Sequence, residues 1–167
     1  MIFVTVGTQL PFERLVGAVD AWAARQSAPP EVLAQVGAGR TDYARLRCVR
    51  TLDGEAYAAA IAGARLMVAH AGTGSILTAL DRGVPVIVVP RDDRRGEHRD
   101  DHQQQTARQM ERLGLVTVAW SEDELPALIE RELAIPPGAR APRRRNTELV
   151  DFRRDWLQRT LGRPGPG

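Results

Sequence analysis

LMVAHAGTGSILTALDRGVPVIVVP, residues 66–90, reads as strand, glycine turn, helix and strand. Leu66, Met67, Val68 and Ala69 form a short apolar run ended by His70, the pattern of a strand buried on both faces. Gly72 and Gly74 alternate with Thr73 and Ser75, and Ile76, Leu77 and Leu80 then recur at helical spacing. Gly83 stops that helix and Pro85 lies beyond it, the usual order of terminators. Val86, Ile87, Val88 and Val89 make a second buried strand, closed by Pro90. A glycine turn that feeds a helix leaves backbone N–H groups unpaired at the positive end of the helix dipole, a corner that attracts phosphate. Thr73 and Ser75 add hydroxyls that cap the helix or reach a phosphate oxygen. From this turn alone, an anion site and a plain capped helix both stay open.

The flanking chain repeats the pattern. Residues 2–6 read as a first strand followed directly by Gly7 and Thr8, and Pro11 suits the first turn of a helix carrying Leu15, Val16, Val19, Trp22 and Ala23. Residues 32–36 make a second strand before another glycine turn at 37–39, and 47–51 make a third. An alanine-rich helix at 56–62 precedes the central unit. A polar loop at 91–101 follows it, then a helix to about Leu113 and a last strand at 116–119. Ser121 and Glu124 have capping-box spacing for a helix through Leu133. Six strands alternating with helices predict an α/β fold, a Rossmann-like parallel sheet with helices on both faces. Ligands in such sheets sit at the carboxyl ends of the strands. Three glycine turns fall on that edge: at Gly7, at residues 37–39 and at residues 72–75.

The predicted division is a ligand-binding Rossmann-like domain at 1–135 and a basic C-terminal segment at 136–167, with one amphipathic helix and a disordered Pro/Gly end. Residues 136–167 hold eight Arg against three acids, a balance of +5, whereas the rest of the chain balances at −3. Within the segment, Leu149, Phe152, Trp156 and Leu161 form an apolar stripe, either a docking face or a face packed on the chain's own sheet. Arg143, Arg144 and Arg145 lie beside it, a solvated cluster or a contact for anionic groups. No apolar run approaches the ~20 residues of a membrane span. Met1 leads straight into IFVTV without a charged preceding region, so no secretory signal is expected. The single cysteine, Cys48, permits no internal disulfide, sits in an apolar run and fits a reducing compartment. All 23 basic residues are arginine, which excludes a P-loop and a Schiff-base lysine.

Four chemistries compete for these residues. Gly72 and Gly74 open a dinucleotide fingerprint, and Asp92 stands 20 residues beyond Gly72 where a ribose-binding acid belongs, but position 77 is Leu and the first strand lacks the motif. His98 and His102, flanked by Glu97 and Asp101, have the i, i+4 spacing of metal ligands, but no third ligand stands at a defined spacing, so no metal is expected. The G-x-S-x-G elbow of α/β-hydrolases does not occur. Nucleic acid is not an expected partner, because the arginines cluster in the tail and aromatics make up 5% of the chain.

The segment HAGTGSILTALDRGVPVIVVPRDDRRGEHRDDHQQQTARQMERLG resembles the donor-binding C-terminal domain of family 28 glycosyltransferases, and the likeness covers residues 2 to about 118. It is most similar to the small subunits of two-part enzymes. The bacterial exopolysaccharide type carries a similar G-E-H-x-D-D-H-Q run; the eukaryotic dolichol-pathway type shares VTVGT and HAG[TS]GSIL. The peptidoglycan lipid-intermediate N-acetylglucosaminyltransferase is similar more distantly, as a two-domain GT-B protein. The resemblance implies that Gly7, Thr8, Gly72, Thr73, Gly74 and Ser75 hold the diphosphate of a UDP-sugar. It implies that backbone at Thr51 and Leu52 meets the uracil, that Gln103 and Gln104 bond sugar hydroxyls, and that His70 and His102 join the donor-binding set. UDP-sugar is then the donor substrate, and no cofactor is expected.

One position departs from the family. A Glu commonly grips the ribose five residues before the glycine that ends the central helix, and here that residue is Thr78, with Asp81 one turn further on. By resemblance the acceptor-binding half and its general base belong to a separate, membrane-associated glycosyltransferase subunit with a polyprenyl-linked acceptor. This chain would be cytoplasmic, meeting the membrane only through that partner. The expected function is the UDP-sugar-binding subunit of a heteromeric, inverting glycosyltransferase of polysaccharide biosynthesis. Its rivals are a non-catalytic binding module, favoured by Thr78, and an NADP-dependent reductase, favoured by the spacing of Gly72 and Asp92.

Overall fold

The computed structural model of the chain describes residues 1–8, 10–97, 102–136 and 139. Six strands, β1 (Ile2–Thr5), β2 (Val32–Gln35), β3 (Arg47–Val49), β4 (Leu66–His70), β5 (Val86–Val89) and β6 (Thr117–Val118), form one sheet in the order β3-β2-β1-β4-β5-β6. Every pairing is parallel; Thr5 stands between Gln35 on one side and Ala69 on the other. The four inner strands follow the apolar runs of the sequence, with Thr5, Gln35 and His70 at their carboxyl ends, while the edges β3 and β6 carry the exposed Arg47 and the half-exposed Thr117. Because both faces of an inner strand are covered, such runs need not alternate with polar residues.

Period-2 alternation divides the core into two layers. Ile2 and Val4 face one way with Leu66, Val68, Ile87 and Val89, and are covered by α1 (Glu13–Ala24) and α5 (Leu125–Ala134) through Leu15, Val19, Trp22, Leu125 and Ile129. Phe3, Met67, Ala69, Val86 and Val88 face the other way. There α2 (Gly54–Ala62), α3 (Thr73–Asp81) and α4 (His102–Arg112) bring Ile61, Ile76, Ala79, Ala107 and Met110. The chain winds outward from β1 to β3 and then returns to β4 beside β1. The order therefore reverses between β1 and β4, which opens a crevice at their carboxyl ends.

Residues 36–46 cross from β2 to β3 as a loop through the glycine turn at 37–39, with Val36 donating to Val49 and Gly37 to Arg50. Two local expectations are corrected. Pro11 precedes the first helix instead of opening it; Phe12 is the N-cap, and its carbonyl accepts from Val16. Ser121 and Glu124 do not form a reciprocal box. Ser121 Oγ accepts from Asp123 N–H, Glu124 accepts from Trp120 N–H, and a short 3₁₀ turn at Glu122–Glu124 precedes α5. Pro126 is the reason, since a helix running through it from Ser121 would lack the proline's N–H, whereas a helix starting at Leu125 places it in the first turn. No described helix is long and apolar enough to cross a membrane. The predicted boundary at residue 135 follows the end of α5. The apolar stripe at 149–161, Arg143 to Arg145 and the Pro/Gly end lie outside the described residues.

Candidate functional site

A cleft of about 580 Å³ opens at the reversal point. Its floor is the end of β1 with Gly7 and Thr8, and the end of β4 with His70, Ala71 and Gly72. The first turn of α3 (Thr73, Gly74, Ser75 and, a turn on, Thr78) lines it, as do Thr51, Leu52, Asp53 and Tyr57. Arg91, His102 and Gln103 close the far side. Of the thirteen residues expected to bind a donor, the cleft brings together all but Gln104, which is half-buried on α4 and does not line it.

The imidazole of His70 lies against both glycine turns. A Cβ built on Gly72 would stand 2.1 Å from its Nε2, and one built on Gly7 would stand 2.7 Å from its Cε1. Gly7 is also at φ +80°, where an L side chain is strained. The two glycines are therefore required by a histidine that belongs to the same site. Gly74 differs, since a Cβ there meets nothing within 4 Å.

The first bond of α3 runs from Ile76 N–H to the Gly72 carbonyl (3.1 Å), and Gly72 has no side chain to cap the helix. The amides of Thr73, Gly74 and Ser75 precede that bond and sit at the positive end of the helix. Thr78 turns back on its own helix, its hydroxyl donating to the Gly74 carbonyl at 2.8 Å. Its proton is thus engaged, and the oxygen retains only its acceptor capacity. Tyr57 of α2, packed edge-on against Phe3, donates to Ser75 Oγ at 3.4 Å.

Two buried polar residues that the sequence reading missed hold these pieces in place. Gln35 Nε2 donates to Thr5 Oγ1 (3.4 Å), and its Oε1 accepts from Leu52 N–H (3.1 Å), so the Leu52 amide is already engaged. Arg91, 2% exposed, donates from Nη1 to the Pro11 carbonyl (2.7 Å) and from Nη2 to the carbonyls of Val6 (3.0 Å) and Leu10 (2.6 Å). Its guanidinium also lies 4.5 Å over the Phe12 ring. Burial depresses its pKa, the nearby Glu97 raises it and Arg14 lowers it. Gln103 Oε1 accepts from the Arg91 amide at 3.3 Å. The available signal was a single polar residue inside or directly after an apolar run: Gln35 in VLAQV and Arg91 after VIVVP.

The loop after β5 is tied down from outside the cleft. Arg14 forks onto Glu97 through Nε and Nη2, both at 2.8 Å, and reaches Glu122 at 3.1 Å. Glu97 also accepts from the Asp92 amide at 2.9 Å. Burial pushes the Glu97 carboxyl up, but the Arg14 and Asp92 hydrogen bonds and the Arg14 charge outweigh it, so its pKa lies below the ordinary glutamate value. A carboxylate depressed on folding stabilises the fold above its unfolded pKa and loses that contribution as pH falls through its folded value. Amide exchange across residues 91–97 is therefore expected to accelerate, beyond its intrinsic pH dependence, as pH drops below about 4.5. Glu97→Gln should remove that acid dependence. An unchanged exchange profile in the variant would refute the role of Glu97.

Several expectations do not converge here. Gly37 and Gly39 do not line the cleft; Glu13 Oε1 lies 2.8 Å from where a Gly39 Cβ would stand and accepts from Arg40 N–H, so that turn packs on α1. Asp92 is also outside the lining, where it accepts from the Arg94 amide and guanidinium. No cluster of three or more His, Cys, Asp or Glu among the described residues could hold a metal ion; His98 and Asp101 lie outside them. Cys48 is half-buried, and burial pushes its thiol pKa up, away from the thiolate that a nucleophile needs.

The fold is similar to part of several solved glycosyltransferases. It overlays the calicheamicin glycosyltransferase CalG4 with a TM-score of 0.62 at 21% identity, over 99% of this chain and 43% of that one. The glycotransferase of kitacinnamycin gives 0.59 at 20%, over 83% and 36%, and MurG of Acinetobacter baumannii gives 0.58 at 18%, over 78% and 40%. The likeness is one of fold: this chain spans about four-tenths of the length of these proteins, corresponding to one half of a GT-B molecule. The sequence itself matches the model of the glycosyltransferase family 28 C-terminal domain over residues 1–154. With that match covering nearly the whole chain, the protein belongs to the glycosyltransferase family 28 C-terminal domain family.

Proposed function

We propose that this chain is the UDP-sugar-binding subunit of a heteromeric, inverting glycosyltransferase that builds a cell-surface polysaccharide on a polyprenyl-linked acceptor. One observation carries the reading. The uncapped amides of α3 and the loop at Gly7 and Thr8 face one cleft across His70, at the reversal point of the sheet. That arrangement suits a diphosphate, whose negative charge grows as it leaves. Thr51 and Leu52 would meet the uracil, the engaged Leu52 amide leaving its carbonyl for the base. Gln103 would meet the sugar.

In the reaction, the acceptor oxygen bonds to the anomeric carbon from the face opposite the diphosphate. The bond from that carbon to the diphosphate oxygen breaks, and its electron pair leaves on UDP. A base on the partner subunit takes the acceptor proton, and that partner associates with the membrane while this chain stays on the cytoplasmic side. Binding and orientation of the donor are this chain's share.

Thr78 favours a second reading, a binding module without catalysis, because its hydroxyl is turned to the Gly74 carbonyl and offers the ribose less than a carboxylate would. The reductase reading loses its one support, since Asp92 stands outside the cleft. Calorimetric titration with UDP, UDP-sugars and NADPH separates the three. Binding of UDP with transfer beside the partner supports the transferase; UDP binding without transfer supports the module. NADPH binding alone would end both.

A further inference from the structure

We infer that Arg91 is the positioning residue of the diphosphate end of the cleft, locking the loop after β1 to the loop after β5 so that Gly7, Thr8 and Gln103 present one surface. The inference rests on reading the cleft as the donor site. Its guanidinium is spread over four carbonyls: Val6, Leu10 and Pro11 on the first loop and, at 3.4 Å, Glu97 on its own. Its amide is bonded to Gln103 at the start of α4. The partners on the β1 side lie 80 to 85 residues away in sequence, so one side chain joins segments that no strand pairing connects. The first loop carries Gly7 at a positive φ directly beneath His70, where a small shift of the backbone would close or open the gap to the ring.

The geometry is specific to a planar fork. Four carbonyls in an arc are met by four N–H groups on two terminal nitrogens, while the aromatic ring of Phe12 supports the plane from below. A lysine keeps the charge but places three donors on one atom and cannot span that arc. Arg91 is therefore a positioning residue rather than a ligand contact, since its terminal N–H groups are directed to the protein's own backbone.

Arg91→Lys and Arg91→Gln test this with two readouts. In the ligand-free protein, amide exchange at Gly7, Thr8, Leu10 and Phe12 should accelerate roughly tenfold or more in both variants, as lost charged hydrogen bonds imply. Exchange in β4 and β5 should be unchanged. UDP affinity should fall about tenfold or more in both, with lysine failing to rescue. Full rescue by lysine, or exchange no faster than in the parent, would overturn the inference. So would uniform acceleration across the sheet or failure of both variants to fold, since either makes Arg91 a residue of global stability. A parent protein that binds no UDP would sink the donor-site reading instead, and the exchange measurement would still decide whether Arg91 orders the loop.

Discussion

Gly74→Asp is expected to abolish measurable UDP binding, at least ~100-fold in Kd, while leaving the fold as stable as before. The position is exposed, it lines the cleft, and a Cβ there meets nothing within 4 Å, so the side chain enters without displacing any neighbour. An acid in the first turn of α3 even favours the helix, by roughly 0.3–1 kcal/mol through the dipole. That same carboxylate competes for the amides of Thr73, Gly74 and Ser75 and repels a diphosphate. At an effective dielectric of about 20, one unit charge 4 Å from another costs about 4 kcal/mol, more than the ~2.8 kcal/mol of a hundredfold loss. Gly74→Ala is the control, expected to retain most of the affinity. Calorimetry for UDP and denaturant unfolding for stability check both halves. A Gly74→Asp protein that binds UDP like the parent would place the diphosphate somewhere else.

Gly72→Ala should behave in the opposite way, losing stability first and binding as a consequence. Gly72 sits at φ −81° and ψ 127°, a conformation open to any L residue, so the backbone imposes no penalty. The obstacle is His70, whose Nε2 lies 2.1 Å from the new methyl position. Relieving that overlap means displacing the ring from between the two glycine turns, at a cost of about 1–3 kcal/mol. Urea unfolding of a double-mutant cycle isolates the cause. In a His70→Ala background the added cost of Gly72→Ala should fall to about 1 kcal/mol or less, the residue of a weaker N-cap. If Gly72→Ala proves as stable as the parent, His70 does not occupy the place between the turns.

These contrasts show which part of the site could be read from residues alone. The strand at 66–70, the turn at 72–75 and the helix behind them were legible because each signal is local: an apolar run, small residues, a 3.6-residue repeat. The equal weight given to the three glycine turns was not justified. Gly37 and Gly39 carry the same local signature as Gly72 and Gly74, yet Glu13 on α1 takes the space beside Gly39.

Gln35 and Arg91 were overlooked because their roles depend on partners far along the chain. In sequence each is a polar residue beside an apolar run; in the folded chain Gln35 links Thr5 to Leu52, and Arg91 gathers carbonyls from Val6 to Pro11. The sequence by itself determined a parallel α/β sheet, the strand ends where a ligand would sit, and the glycines that leave amides bare. Tertiary structure alone decided that His70 wedges between two of those glycine turns, that the third turn does not line the cleft, and that Arg91 joins the loops. The physical reason is that period and turn chemistry are set by neighbours a few residues apart. A buried polar group must instead find its partner wherever the fold delivers one.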